Sequence, residues 1–191
     1  VVGAGITGLF TAWHARHRDP LRKVVVLERG PHPCGASVKN AGFACFGSPS
    51  QLLHDLDQEG ADTALHRVEE RWRGLQELRD AAIGFEPVGG YEVFMPGDPL
   101  YTRVAARFGE LNRALHGIFG QDVFTWADER TGALGLHAGH LAWNPLEGAV
   151  DSGRLMQRLL GLARAEGVEV RFNAAVQGWE ELPAHVELRL E

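Results

Sequence analysis

The chain has little cysteine, little lysine and no long apolar run. Cys34 and Cys45 are the only cysteines among 191 residues, which rules out a disulfide framework. Both are read as free thiols rather than as a redox pair or an attachment point. Lys23 and Lys39 are the only lysines, and the formal net charge is −6. That balance excludes a general nucleic-acid surface. No stretch is apolar enough for long enough to cross a bilayer, and no secretory leader is legible, so the expected location is the cytoplasm. His137 and His140 stand three apart with no cluster of cysteines or acids beside them, and no metal is expected there. What is present is ordinary globular material: 45% of residues are hydrophobic, which supplies a core.

The most specific feature is the start, Val1-Val2-Gly3-Ala4-Gly5-Ile6-Thr7-Gly8, a G-x-G-x-x-G turn. In such a turn the first glycine permits a tight strand-to-helix reversal. The second lets a pyrophosphate approach the backbone, and the third lets the helix pack closely on the strand. A helix-compatible stretch, Leu9 to Arg16, follows. Lys23-Val24-Val25-Val26-Leu27-Glu28 then reads as a buried parallel strand ending in an acid. Unpaired N–H groups at the helix start suit phosphates. The Glu28 carboxylate can accept the hydroxyls of an adenosine ribose, so a dinucleotide site is expected.

Arg29 to Ser37 is a turn-rich loop, and Val38 to Phe43 is small and polar enough to wrap a ligand. Ser48-Pro49-Ser50-Gln51 predicts a capping box with proline at the first helical position. It opens a helical region expected to reach about Ala82, broken near Gly60. Leu65, Val68, Trp72, Leu75 and Leu78 form its apolar stripe, read as core. Gly89 to Phe94 reads as a strand, and Tyr91 on it is either substrate-facing or packed. Asp98-Pro99 starts a helix through about Phe119. Asp151 is an N-cap for a helix over Ser152 to Glu166, with Gly167 at its C′ position. Val168 to Phe172 and Ala175 to Trp179 read as strands, and His185 to Leu190 alternates like another. Only two residues precede the first glycine and the last strand ends without a turn, so the expectation is the N-terminal part of a longer protein.

Three segments resemble the FAD-dependent oxidoreductases of the D-amino-acid oxidase superfamily, the group of glycine and sarcosine oxidases and γ-glutamylputrescine oxidase. They are Val1 to Arg29, the loop Gly35 to Gly42, and Glu147-Gly148-Ala149-Val150-Asp151 running through Val176. The resemblance implies an α/β fold: a Rossmann-like FAD-binding domain of residues 1–47 and 148–180, interrupted by a substrate-side α+β insertion over 48–147. A further strand would begin in 181–191.

It also implies site roles. Gly3, Gly5, Ile6, Thr7 and Gly8 would hold the pyrophosphate. Glu28 would hold the ribose, with Arg29 beside the adenine and Val176 presenting its backbone to it. Ala36, Ser37, Lys39, Asn40, Ala41 and Gly42 would line the phosphate and the flavin ring. Lys39 is the candidate for a positive charge near the flavin N1–C2=O edge. No side-chain catalytic base is assigned. The implied reaction passes a hydride from an amine or amino acid to flavin N5, giving an imine, with reoxidation by dioxygen to hydrogen peroxide. An NAD(P)-dependent dehydrogenase shares the glycine turn and Glu28, but would not need the Ala36–Gly42 wrap. A flavin-binding module without turnover is the third reading.

Overall fold

The computed structural model describes residues 1–81 and 84–191. In chain order the elements are α1 (Ile6–Arg18), β1 (Val25–Leu27), β2 (Phe43–Ala44), α2 (Pro49–Glu59), α3 (Ala61–Asp80), β3 (Phe85–Glu86), β4 (Gly90–Phe94), α4 (Pro99–Phe119), β5 (Thr125–Trp126), β6 (His140–Asn144), β7 (Gly148–Val150), α5 (Ser152–Ala165), β8 (Glu169–Arg171), β9 (Val176–Glu181) and β10 (Val186–Leu190). Single 3-10 turns cover Ala36–Val38 and Asp128–Arg130. The chain divides into two compact units, Val1–Gly42 with Asp151–Glu191, and Phe43–Val150. Among the described residues no helix is long and apolar enough to cross a membrane.

The first unit is built on a parallel pair. β1 and β8 pair from Val25↔Glu169 to Leu27↔Arg171, and Val2 bridges in parallel to Leu27 on the other side. The ladder is three residues long, shorter than the Lys23–Glu28 run expected as a strand. α1 packs on α5. Leu155, Leu159 and Ala163 recur every four residues on one face of α5 and are buried, as helical periodicity requires. Each buried leucine contributes roughly 1.5–3 kcal/mol. Asp151 accepts the Arg154 N–H at 2.9 Å as N-cap, and Gly167 leaves the helix with φ +85°. Arg16 Nε then donates to the Glu166 carbonyl at 2.6 Å, satisfying an acceptor at the α5 C-terminus. β9 and β10 form an antiparallel ribbon.

The second unit has two small antiparallel sheets, ordered β2-β7-β3 and β4-β6-β5. Its core joins Phe46, Leu53, Phe94, Val104, Leu111, Leu115 and Phe124. Of the expected stripe, Val68 and Leu75 are buried, Leu65 and Trp72 pack against the same core, and Leu78 is half-buried. Gly60 breaks the helices with φ +82°. α3 ends at Asp80, and Ala82 lies outside the described residues. Asn112 of α4 is 6% exposed. Its Oδ1 accepts the N–H groups of Val123 and Phe124 at 3.1 and 3.0 Å, and its Nδ2 donates to the Phe124 carbonyl at 2.9 Å.

One helix start departs from expectation. Asp98 does cap α4, accepting the Leu100 N–H at 2.9 Å. Ser48 occupies the N-cap position of α2, but its side chain makes no cap bond. The hydroxyl instead donates to Glu92 Oε1 at 3.0 Å, so no capping box forms. The carboxylate brought in by β4 takes over the cap, since Glu92 Oε2 accepts the Ser50 N–H at 3.0 Å.

Candidate functional site

The glycine turn has a distinct physical reason at each glycine. Gly3 has φ +91°, a conformation that L side chains rarely adopt, and its N–H donates to the Leu27 carbonyl at 2.7 Å. A Cβ on Gly8 would lie 2.0 Å from the Gly3 carbonyl oxygen, so only glycine lets α1 come this close to the turn. Gly5 is the N-cap of α1, and a Cβ there would stand 3.2 Å from Ser37 Oγ. The helix therefore presents its positive end with no capping side chain of its own. Ser37 supplies one from the following loop: its Oγ accepts the Ile6 N–H at 3.0 Å.

Glu28 stands half-buried just beyond β1. Its Oε2 accepts the Ala4 N–H at 2.8 Å and its Oε1 the Gly30 N–H at 2.9 Å. These two bonds satisfy the acid and fix its orientation across the turn. The loop that follows is tied by Asn40, whose Nδ2 donates to the carbonyls of Ala36 and Ser37 at 3.2 and 3.1 Å. Its Oδ1 accepts the Gly42 N–H at 2.9 Å, where Gly42 takes φ +71°. On the other side Ala174 N–H donates to the Glu28 carbonyl at 2.9 Å, and Asn173 N–H to the Gly30 carbonyl at 3.0 Å. Asn173 adopts φ 54°, a left-handed bend that asparagine tolerates.

These elements enclose a cavity of about 530 Å³ within the first unit, in the size range of cofactor sites, roughly 300–1,000 Å³. Of the expected site residues, Gly3, Gly5, Glu28, Arg29, Ser37 and Val176 line it. Ile6, Thr7, Gly8, Ala36, Asn40, Ala41 and Gly42 are not among the lining residues. Gly8 and Asn40 instead shape the turn and the loop. Lys39 lines a second, mainly apolar hollow of about 460 Å³ with Val38, Met156 and Leu160.

The lining also includes Val2, Leu27, Pro33, Gly35, Ala174, Ala175 and Gln177, which sequence reasoning did not assign to the site, and Cys34, which it read as a free thiol. The run of small residues before Val176 was the available signal for Ala174 and Ala175. Nothing local marks Gln177.

Other residues weighed from the sequence lie in the second unit, Cys34 excepted. His140 Nδ1 is 2.7 Å from Asp128 Oδ2, and its ring stacks on Tyr101 at 3.6 Å. His137 is exposed. Among the described residues no group of three or more His, Cys, Asp or Glu is arranged to hold a metal ion. Cys34 and Cys45 are free. The Tyr91 ring packs 4.5 Å from Trp143, and its hydroxyl accepts from Arg130 Nη1 at 2.9 Å.

The fold is shared with solved structures whose names are those of a deaminase and two oxidases. L-amino acid deaminase from Proteus vulgaris superposes with TM-score 0.66 at 21% identity, over 97% of this chain and 41% of that one. Iminodiacetate oxidase from Chelativorans gives 0.68 at 18% identity, over 99% and 50%. Glycine oxidase from Bacillus cereus gives 0.64 at 19%, over 95% and 47%. The chain thus spans between two fifths and one half of the length of these structures. No curated protein sequence matches it. The family model for FAD dependent oxidoreductases, DAO, matches residues 1–189, nearly the whole chain, and the chain belongs to that family of FAD-dependent oxidoreductases.

Proposed function

We propose that the first unit holds the adenine dinucleotide portion of FAD in the 530 Å³ cavity, and that the whole protein oxidises an amine or amino acid. The observation that carries this is the pairing of a bare, glycine-capped helix start with an oriented carboxylate. Glu28, steadied by the Ala4 and Gly30 N–H groups, keeps acceptor lone pairs for the two ribose hydroxyls. The backbone at Gly3 and Gly5 faces the pyrophosphate, where Gly5 leaves room for close approach, and Thr7 and Gly8 continue the turn behind them.

Ser37 acts as a relay in this reading. Its oxygen takes the Ile6 N–H, and its own hydrogen is free to rotate toward a phosphate oxygen. Arg29 and the Val176 backbone sit at the adenine end. Asn40 holds Ala36 and Ser37 in place, and Lys39, Ala41 and Gly42 continue the loop toward the flavin ring. FAD held there would supply a hydride acceptor for the amine-bearing carbon, with dioxygen as the final oxidant. Residues 43–150 supply the substrate side. The fold of the neighbours and the family match support this reading, together with the donor and acceptor pattern of the cavity.

The test is a visible spectrum of the purified protein, followed by anaerobic addition of a panel of amines and amino acids. A flavin band that bleaches with one of them is expected. A colourless protein that binds NAD tightly overturns the cofactor assignment. A yellow protein that no amine or amino acid bleaches overturns the oxidoreductase assignment and leaves a binding module.

A further inference from the structure

One face of the β4-β6-β5 sheet belongs to the core of the second unit. Phe94, Ala142 and Trp126 join that core with residues of α4, and Glu92 on the same face is engaged by Ser48 and Ser50. Strand alternation turns the intervening residues the other way. Register sets Tyr91 and Thr125 on either side of Trp143, with Val93 on the same face of β4. Val93 is 41% exposed, Thr125 is exposed, and Tyr91 and Trp143 are half-buried. This face therefore carries aromatic and apolar surface within reach of a ligand.

The face is built around one cation. Arg130, from the 3-10 turn after β5, holds its guanidinium over the Trp143 ring, 5.0 Å from the centroid. Its Nη1 donates to the Tyr91 hydroxyl at 2.9 Å, and the Tyr91 ring lies 4.5 Å from the indole. The acid paired with it, Glu129, stands 3.6 Å from Nε with its side chain 73% exposed, too far for a hydrogen bond. Asp128, at the head of the same turn, is taken by His140 Nδ1 and the Leu141 N–H. Gly89 makes room for the arrangement: it has φ +71°, and a Cβ there would lie 1.8 Å from the indole Cη2. The indole thus fills the space that a side chain would need, as a floor beneath the guanidinium.

We propose that Arg130 and Tyr91 bind the carboxylate of a small-molecule ligand on this face, with Trp143 and Val93 against its apolar part. A guanidinium carries five N–H donors in a fixed fork, and one of them goes to Tyr91. The Tyr91 hydroxyl, having accepted that hydrogen, keeps its own to donate. Arg130 and Tyr91 therefore offer neighbouring donors to the two oxygens of one carboxylate, and bonds to an ionised acceptor are the strong ones. Stacking on the indole holds the fork in place before the ligand arrives. The exposed pair with Glu129 is weak and yields to an incoming anion. The ligand's identity rests on the proposed oxidation of an amine or amino acid: such a site selects amino acids over simple amines, since an amine without a carboxylate leaves Arg130 unanswered.

Two probes that share the carbon skeleton of leucine test the site by calorimetric titration of the full-length protein: isocaproate, which lacks the amine, and isoamylamine, which lacks the carboxylate. Isocaproate should bind, and R130M should weaken it by roughly tenfold to a hundredfold, the loss expected for charge-assisted bonds. R130K and Y91F should weaken it less. No isocaproate binding by the unmodified protein, or equal binding by R130M, overturns the proposal. Isoamylamine should gain nothing from Arg130, and a matching loss of isoamylamine binding in R130M marks a merely structural role and overturns it too. Should R130M not fold, isocaproate binding unchanged in both R130K and Y91F overturns it equally. These titrations need no turnover, so a colourless protein, which sinks the flavin reading, leaves them decisive. For any amino acid that bleaches the flavin, R130M should raise KM by the same factor with kcat little changed, and an unmoved KM overturns the assignment.

Discussion

Asn112 offers a sharp test of how the second unit is held together. Its side chain ties α4 to the Val123–Phe124 segment through three hydrogen bonds. Val123 and Phe124 are 0% and 2% exposed, so their N–H and C=O groups have no ready access to water. Asn112→Ala removes both partners of those groups and leaves two donors and one acceptor buried. At about 1 kcal/mol or more for each unsatisfied group, the expected loss is about 3–5 kcal/mol. That is a large share of the 5–15 kcal/mol typical of a whole domain. Urea unfolding followed by far-UV circular dichroism measures it as a lower midpoint with an unchanged slope. Asn112→Leu is the deciding comparison, since it restores apolar volume but no hydrogen bond. It should be nearly as unstable as the alanine variant. A leucine variant as stable as the unmodified protein would refute the reasoning, because packing and not polar satisfaction would then set the stability.

Two further predictions concern the first unit. In Gly8→Ala the new Cβ meets the Gly3 carbonyl at 2.0 Å, a backbone atom that cannot move aside without opening the turn. A loss of about 3 kcal/mol in thermal stability is expected, together with poor retention of flavin; an alanine variant that keeps both would show that α1 can shift at little cost. Asn40→Ala removes the side chain that ties Ala36, Ser37 and Gly42 while leaving the exposed surface otherwise intact. Flavin affinity measured by fluorescence titration should weaken by about tenfold, matching about 1.4 kcal/mol of lost loop order, with the melting temperature of the flavin-free protein nearly unchanged.

Much of the fold is legible in local chemistry. Asp98 and Asp151 cap their helices because the bond each makes is to an N–H two or three residues ahead, within reach of any reader of the sequence. Gly60 and Gly167 end or break helices through their own backbone angles. The glycine turn and Glu28 fall within one βαβ unit, and their spacing alone brings them together. The failures share one cause: the deciding partner is far along the chain. Ser48 has every local mark of a capping residue, yet its hydroxyl belongs to Glu92, 44 positions away. The Ser37 hydroxyl that accepts the Ile6 N–H is likewise out of local view, 31 positions on. Glu147 sits in an unremarkable Pro-Leu-Glu-Gly stretch. Only the approach of Phe46, Gly90 and Glu92 makes it a buried acid with a displaced proton affinity.

The two backbone bonds to Glu28 make it a charge filter as well as an anchor. A carboxylate already fed by Ala4 and Gly30 has its rotation fixed and offers incoming groups only lone pairs and negative charge. A hydroxyl brings a hydrogen and is admitted. A phosphate monoester at the same sugar position would bring no donor and about two further negative charges at neutral pH, more than the single charge of Arg29 in the same lining can offset. With the dinucleotide held as proposed, the turn would disfavour 2′-phosphorylated ligands by repulsion, before any contact with the distal half of the ligand is made.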